Sequence, residues 1–145
     1  MDIKKIALGS DHAGFELKEI VKNELLKINI EVVDFGPYSD KRADYPDYAH
    51  PVAVAVEENK VDLGILICGS GNGINMTANK HQGIRSALCW QKDIAEMARL
   101  HNNANIIALP ARYITVEEAM ECINIFISTE FEGGRHAGRV EKIKY

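Results

Sequence analysis

Short apolar runs rich in β-branched residues alternate along this chain with longer segments of helical periodicity. The short runs predict five strands, at Lys5–Leu8, Glu31–Phe35, Leu63–Cys68, Arg85–Cys89 and Asn105–Leu109. The longer segments predict helices at Phe15–Lys27, Ala49–Glu58, Asn72–Lys80, Asp93–His101 and Val116–Ile127. Five successive β-α units predict an α/β fold, in which a parallel sheet is covered by helices on both faces.

Local signals refine the helix ends and the tail. Thr115 and Glu118 have the spacing of a capping box for the last of these helices. Pro46 and Pro51 suit a first helical turn ahead of the Ala- and Val-rich segment. The tail, residues 132–145, opens with two glycines and is polar and basic, which predicts an arm and not a core element.

Length, charge and cysteine usage narrow the class of protein. The 145 residues fit one domain spanning 1–145, and the net charge of -4 gives no nucleic-acid or membrane signature. The amino terminus runs straight into a strand-like segment, and no apolar run approaches the roughly 18 residues of a membrane helix. Three cysteines without C-x-x-C spacing favour a reducing compartment and argue against a disulfide framework or a structural zinc site. We therefore predict a cytoplasmic protein.

Three of the predicted strands lead into polar or glycine-rich segments. The first strand leads into Gly9-Ser10-Asp11-His12, the second into a loop at Gly36–Tyr45, and the third into Cys68-Gly69-Ser70-Gly71-Asn72-Gly73. Open parallel sheets bind ligands beyond the carboxyl ends of their strands, where the strand order reverses. These three segments are the predicted site.

The glycine loop after the third strand allows backbone N–H groups to point at an anion or a developing oxyanion. It matches neither a phosphate-binding P-loop nor a dinucleotide fingerprint, and the alternative is a tight turn with no ligand. Cys68 stands at the mouth of this loop, where a helix N-terminus is expected to ease thiol deprotonation. A buried, inert cysteine is the alternative for Cys68, and it is the favoured interpretation for Cys89 and Cys122.

Other polar residues have two interpretations each. Asp11 with His12 can bind hydroxyls and phosphate, or Asp11 can simply cap the next helix. His101 closes the fourth predicted helix, where a histidine often only complements the helix dipole. Arg135 and Arg139 flank His136 in the tail and can bind phosphate if the arm is helical, or they can be a solvated surface. His50 and His81 show no supporting neighbours, so we predict that they are surface residues.

Taken together, these residues resemble the ribose-5-phosphate isomerase B family, which also includes allose- and galactose-phosphate isomerases. The resemblance covers nearly the whole chain and rests on several motifs in the same order. They are Gly9-Ser10-Asp11-His12, Asp44-Tyr45-Pro46, residues 67–74, Ala78-Asn79-Lys80, Gly83-Ile84-Arg85, His101-Asn102, Glu132-Gly133-Gly134-Arg135-His136 and Arg139-Val140. It implies a Rossmann-like αβα sandwich with a five-stranded parallel sheet and a C-terminal arm.

The resemblance also implies an activity. It is the interconversion of ribose 5-phosphate and ribulose 5-phosphate in the pentose phosphate pathway, through an enediolate, with Cys68 as the base and without a metal or other cofactor. His101 is implied to assist ring opening together with Ser70, which stands where many members have threonine. The residues implied to bind the sugar are Asp11, His12, Tyr45, Gly69, Ser70, Gly71, Asn72, Gly73 and Asn102. Those implied to bind the phosphate are His12, Arg112, Arg135 and Arg139.

Members of this family are homodimers or dimers of dimers with active sites shared between subunits. The direction of the predicted strands leads to the same expectation for this chain. Cys68 follows a strand, whereas His101 precedes one, so the two lie at opposite edges of a parallel sheet about 17–20 Å deep. If both act on one substrate, we expect His101 to come from a neighbouring chain. The alternatives in function are an isomerase of a six-carbon sugar phosphate and a non-catalytic sugar-phosphate-binding regulator on the same fold.

Overall fold

The computed structural model describes residues 2–145 and contains one five-stranded sheet in which every pairing is parallel. In chain order its elements are β1 Lys5–Ser10, α1 Phe15–Lys27, β2 Glu31–Asp34, α2 Tyr45–Glu57, β3 Leu63–Cys68, α3 Asn72–Ala78, β4 Ser86–Leu88, α4 Lys92–Leu100, β5 Ile106–Pro110, α5 Val116–Ser128 and α6 Arg135–Glu141. The predicted α/β fold with a parallel sheet is confirmed.

The apolar side chains of the strands point alternately to two helical layers. On one face, α1, α4 and α5 pack against Ile6, Leu8 and the like-facing residues of β3 and β5. On the other face, α2 and α3 pack against Ala7, Leu66 and Ala108. Cys68 belongs to this second cluster, so its thiol lies on the side of the sheet covered by α2 and α3. The two layers form the expected αβα sandwich.

The strand order is β2-β1-β3-β5-β4. After β1 the chain first moves outward to β2 and then crosses back to β3 on the other side of β1. The boundary between β1 and β3 is therefore the point where the strand order reverses, and ligands of such sheets bind beside the carboxyl ends there. Ser10 pairs with Ile67 at this boundary, which extends β1 two residues beyond the predicted end at Leu8.

The helices differ from the sequence prediction mainly in α2. This helix begins at Tyr45, four residues before the predicted start, with Pro46 in its first turn. Pro51 lies inside the helix and not at its beginning, so the carbonyl of Asp47 has no intrahelical donor. The predicted capping box of Thr115 and Glu118 is confirmed in both of its hydrogen bonds. Among residues 2–145, no helix has the length and apolar character needed to cross a membrane.

The prediction that the tail is only a polar arm is partly wrong, because it contains α6 and contributes a buried side chain. Gly133 and Gly134 have positive φ angles of 72° and 56°, which turn the chain into this helix. His136, in the first turn of α6, is only 5% exposed. The amide of Glu132 donates to the carbonyl of Leu100, which attaches the start of the arm to the end of α4.

A buried ion pair, not anticipated from the sequence, joins α1 to the end of β2. Lys18 is completely buried, and its Nζ lies 2.9 and 2.8 Å from the two carboxylate oxygens of Asp34. Burial favours the neutral acid, but hydrogen bonds from Lys18, the Gly36 amide and Lys22 outweigh it, so the pKa of Asp34 is lowered. The pair fixes the start of the loop that leads to α2, because Asp34 also accepts the amide of Gly36 at 2.8 Å.

We expect Lys18→Met to lower the free energy of unfolding by about 3 kcal/mol, because it leaves the Asp34 carboxylate buried without its main partner. The matched control is Lys27→Met, which removes an exposed lysine from an ion pair with Glu24 on the same helix. That change should cost less than about 1 kcal/mol. Urea unfolding at neutral pH measures both, and equal losses in the two variants would contradict the importance of the buried pair.

Candidate active site

The ends of β1, β3 and β5 are joined by backbone hydrogen bonds that continue beyond the sheet. The amide of Asp11 donates to the carbonyl of Ile67 at 3.2 Å. The amides of Ala111 and Arg112 donate to the carbonyls of Cys68 and Gly69 at 2.9 and 3.0 Å. Residues that are far apart in sequence are thereby held side by side at one edge of the sheet.

A cavity of about 350 Å³ opens at this edge. Seven of the residues predicted from the sequence line it: Asp11, Tyr45, Cys68, Gly69, Ser70, Gly73 and Arg112. A slightly larger cavity beside α2, of about 410 Å³, has a largely apolar lining of Phe35, Pro51, Val54 and Ala55 with His50 and Lys60 at its border. The cavity at the strand ends combines a carboxylate, a thiol and a guanidinium, and it is therefore the candidate active site.

The glycines of the loop after β3 make room for the side chains that surround the thiol. A Cβ atom at Gly73 would lie 2.5 Å from the ring of Tyr45, and one at Gly69 would lie 3.1 Å from the guanidinium of Arg112. Gly71, with a φ angle of 78°, is the left-handed residue that caps α3. The loop therefore brings an aromatic ring and a cation close to its backbone, in the cavity that Cys68 lines.

The environment of Cys68 contradicts the expectation of an easily deprotonated thiol. Burial is the largest influence and raises the pKa of Cys68, and the nearby negative charge of Asp11 adds to this. Backbone N–H groups of Ile74, Gly71 and Ser70 act in the opposite direction without outweighing burial. The helix N-terminus effect is thus present, but the pKa of Cys68 is raised overall.

The other two thiols are core residues, as predicted. Cys89 and Cys122 are completely buried in the layer of α1, α4 and α5, away from the cavity. Burial raises the pKa of Cys89 to about 12 and that of Cys122 to about 11. Neither thiol can act as a base near neutral pH.

Asp11 and His12 are held by local backbone contacts. Asp11 Oδ1 accepts the amide of Gly14 at 3.0 Å, which caps the turn ahead of α1. Asp11 nevertheless lines the cavity, so the capping and functional interpretations are compatible. The Nδ1 atom of His12 lies 3.1 Å from the carbonyl oxygen of Ala43 and 3.2 Å from its amide nitrogen, which links this histidine to the loop before α2.

Ser70 lies between two cavities. It lines the cavity of Cys68 and also a neighbouring one of about 330 Å³ that contains Asn72, Trp90 and Tyr113. The Ser70 hydroxyl accepts the amide of Asn72 at 3.3 Å. Asn72 lines the adjoining cavity and not that of Cys68.

The remaining predicted site residues lie elsewhere in the chain. His101 caps the carboxyl end of α4, and its ring stacks on that of His136 with centroids 4.1 Å apart. Asn102 lines a separate cavity with Arg85 and Ile143. Arg135 and Arg139 are both on α6. His101 and Asn102 lie between α4 and the amino end of β5, and the arm that carries the two arginines is attached beside them at the end of α4. None of these four residues lines the cavity of Cys68.

The electrostatic surroundings of His136 differ from those of an ordinary surface histidine. Burial lowers the pKa of His136, and the nearby positive charges of His101, Arg135 and Arg139 lower it further, whereas Glu132 opposes them. The imidazole of His136 therefore favours its neutral form.

Sequence reasoning missed several polar contacts. Tyr113 lines the candidate site and follows Arg112 at the end of β5, a position that could have indicated it. His50 and His81 do have partners: His50 Nδ1 lies 2.7 Å from His81 Nε2, and His81 Nδ1 lies 3.0 Å from a carboxylate oxygen of Glu57. His50 is exposed as predicted, but no signal in the sequence spacing indicated this pair.

Several known proteins are similar to this chain over nearly its whole length. Ribose-5-phosphate isomerase B of Escherichia coli is 45% identical over 141 residues, covering 97% of this chain and 95% of that protein. The crystal structure of a ribose 5-phosphate isomerase from Thermotoga maritima shares 52% identity and a TM-score of 0.96, over 99% of each chain. The structure of ribose-5-phosphate isomerase B from Mycoplasma genitalium with bound ribulose-5-phosphate shares 45% identity and a TM-score of 0.92, covering 96% of this chain and 93% of that one.

The family assignment rests on nearly the full length of the chain. Residues 6–143 match the Ribose/Galactose Isomerase family, a span that runs from the second residue of β1 to just beyond α6. With this match and relatives at 45% identity, the resemblance inferred from the motifs is confirmed. The chain belongs to the ribose/galactose isomerase family.

Proposed function

We propose that this chain interconverts ribose 5-phosphate and ribulose 5-phosphate, with Cys68 as the base that moves a proton between C2 and C1. The observation that carries the proposal is the single cavity in which Cys68, Asp11 and Arg112 meet at the switch point of the sheet. A thiol provides the base, a carboxylate binds hydroxyl groups, and a guanidinium binds an anion such as phosphate. The names of the relatives support the same reaction.

The reaction requires both a base and anion-stabilising donors. The Cys68 thiolate removes the proton from C2 of the open-chain aldose, which leaves an enediolate. Cys68 then returns that proton to C1, while a second proton passes from the O2 hydroxyl to O1, so no atom is gained or lost. Backbone N–H groups of the glycine loop already interact with Cys68, and we propose that the loop also supplies donors for the negative charge that develops on the sugar oxygens; such donors typically contribute about 3–4 kcal/mol each.

The complete site is proposed to require a second copy of the chain. Cys68 pairs with Pro110 at the carboxyl end of β5, whereas His101 lies before the amino end of that strand. The length of β5 separates them by roughly 15 Å, too far for one side chain to bridge. We propose a homodimer, or a dimer of such dimers, in which His101 of one subunit assists ring opening at Cys68 of the other.

Phosphate binding is proposed to be divided in the same way. Arg112 and His12 lie at the edge of the sheet that carries Cys68, and Arg135 and Arg139 lie on α6. In the proposed dimer, α6 of one subunit reaches the sugar-phosphate site of its partner, and the arginines add charge-assisted hydrogen bonds to phosphate. We further propose that the whole of residues 1–145 is one isomerase domain acting in the cytoplasm without a metal or other cofactor.

We expect the purified protein to convert ribose 5-phosphate to ribulose 5-phosphate in the presence of EDTA. Cys68→Ala should lower kcat by at least about 10²-fold with little change in substrate affinity, because it removes only the base. The measurement is the rate of ketose formation. The same assay is repeated with allose 6-phosphate and galactose 6-phosphate as alternative substrates.

Cys122→Ala is the matched control, because it removes a thiol from the core of the same fold; it should keep most of the activity. Near-normal turnover in Cys68→Ala would place the base elsewhere. Full substrate binding with no turnover by the parent protein would favour a sugar-phosphate-binding regulator.

The raised pKa of Cys68 predicts a rate that increases with pH. Below that pKa the thiolate fraction rises about tenfold per pH unit, so kcat/KM should increase steadily from pH 6.5 to 8.5. Asp11→Asn removes a negative charge that opposes the thiolate, so the midpoint of its profile, followed to pH values at which the rate levels off, should lie at lower pH than that of the native protein. A flat profile over this range, or an unshifted Asp11→Asn profile, would contradict this electrostatic account.

A further inference from the structure

Three metal-ligating side chains meet where the C-terminal arm contacts the end of α4. They are His101, Glu132 and His136, and one ligand atom from each lies within 4.8 Å of the others. His101 Nε2 is 3.8 Å from a carboxylate oxygen of Glu132, and the two imidazole rings stack with an angle of 14° between their planes. His101 and Glu132 lie 31 positions apart in the sequence, so ligand spacing did not indicate this cluster.

The buried member of this cluster has a nitrogen without a protein partner. His136 is only 5% exposed, and within residues 2–145 its Nε2 is buried and makes no hydrogen bond. A buried imidazole nitrogen is normally satisfied, so an unpaired one points to a ligand that the protein itself does not supply. The position of His136 is fixed by its own amide, which donates to the carbonyl of Gly133 at 3.0 Å.

The distances fit an ion that becomes bound when the two exposed ligands, His101 and Glu132, move toward the buried His136. Tetrahedral Zn²⁺ holds imidazole nitrogen and carboxylate oxygen at about 2.0–2.2 Å, which places neighbouring ligand atoms about 3.4 Å apart. The side chains of His101 and Glu132 are 37% and 54% exposed, so both can move toward His136. Ion binding requires the His101 ring to rotate out of its stack on His136, because the ligating lone pair of an imidazole lies in the plane of its ring. Two histidines with one carboxylate are a donor set that Zn²⁺ readily accepts.

We propose that His101, Glu132 and His136 form a site for a divalent transition-metal ion such as Zn²⁺, and that the bound ion inhibits the enzyme. The inhibitory part rests on the proposed function, because it requires His101 to act in ring opening. An ion bound to His101 uses the imidazole lone pair that proton transfer during ring opening requires. Arg135 and Arg139, which flank His136, oppose a dication, so binding is reversible and is removed by chelators.

Direct titration tests the site without relying on activity. Zn²⁺ is titrated by calorimetry into the Cys68→Ala protein, so that the active-site thiol cannot take up the ion. Binding of one Zn²⁺ per chain is expected, and Glu132→Gln and His136→Gln in the same background should each weaken it by about 10²-fold. Co²⁺ should give the visible absorption of a tetrahedral site without a thiolate band.

The matched control is His50→Ala, which removes a histidine from the other close imidazole pair of the chain. Unchanged Zn²⁺ affinity in this variant is expected. Loss of binding in His50→Ala, retention of full affinity in Glu132→Gln and His136→Gln, or no binding by the starting protein would each overturn the proposed site. Because Glu132 is exposed, Glu132→Gln should fold normally. It therefore tests the site even if His136→Gln folds poorly.

Activity then tests the inhibitory part. Zn²⁺ should reduce turnover by the protein with its native Cys68, EDTA should restore it, and Glu132→Gln should resist inhibition. Stoichiometric binding with undiminished turnover would overturn inhibition and count against a role for His101. If the protein isomerises no sugar phosphate at all, the proposed function fails, while the Zn²⁺ titration still decides whether the site exists.

Discussion

Parallel pairing of β1, β3 and β5 determines where every group of the candidate site can lie. Register pairs Ser10 with Ile67 and Cys68 with Pro110, so the residues that follow each strand emerge together. The same constraint sends the residues that precede β5 to the opposite edge. A parallel sheet therefore cannot bring all the proposed catalytic groups of one chain together, and the proposal of a shared site is a consequence of its topology.

The cavity balances two opposing influences on the thiol. Burial in the layer of α2 and α3 disfavours charge on Cys68, whereas backbone N–H groups from the following loop favour it. When its pKa is raised, only a small fraction of a thiol is ionised near neutral pH, but the thiolate that does form is a stronger base. Arg112, close to Gly69, adds a positive charge to the same cavity, where the proposed substrate would bring the negative charge of its phosphate and enediolate.

Periodicity predicted all five strands and the first five helices, because the period of an apolar pattern reports directly on burial. The parts that it missed depend on contacts between distant segments. Helix α2 starts at Tyr45, whose ring lies close to Gly73, and α6 forms where His136 stacks on His101. The buried Lys18 lies on α1 as an ordinary polar position in sequence, and only the fold shows its partner at the end of β2. Likewise, motifs indicated the residues around Cys68, but spacing alone did not reveal which of them share a cavity.

The most direct test of the shared site is complementation between two inactive variants. Cys68→Ala and His101→Ala should each be nearly inactive on cyclic ribose 5-phosphate, because every site in either homodimer lacks one of the two groups. A heterodimer of the two, isolated with different affinity tags, contains one site with both native residues and one with neither. Recovery of up to about half the activity of the native protein is predicted, as expected for one intact site of two. Verified heterodimers that stay as inactive as their parents would contradict the account, since Cys68 and His101 would then act within one chain or not together.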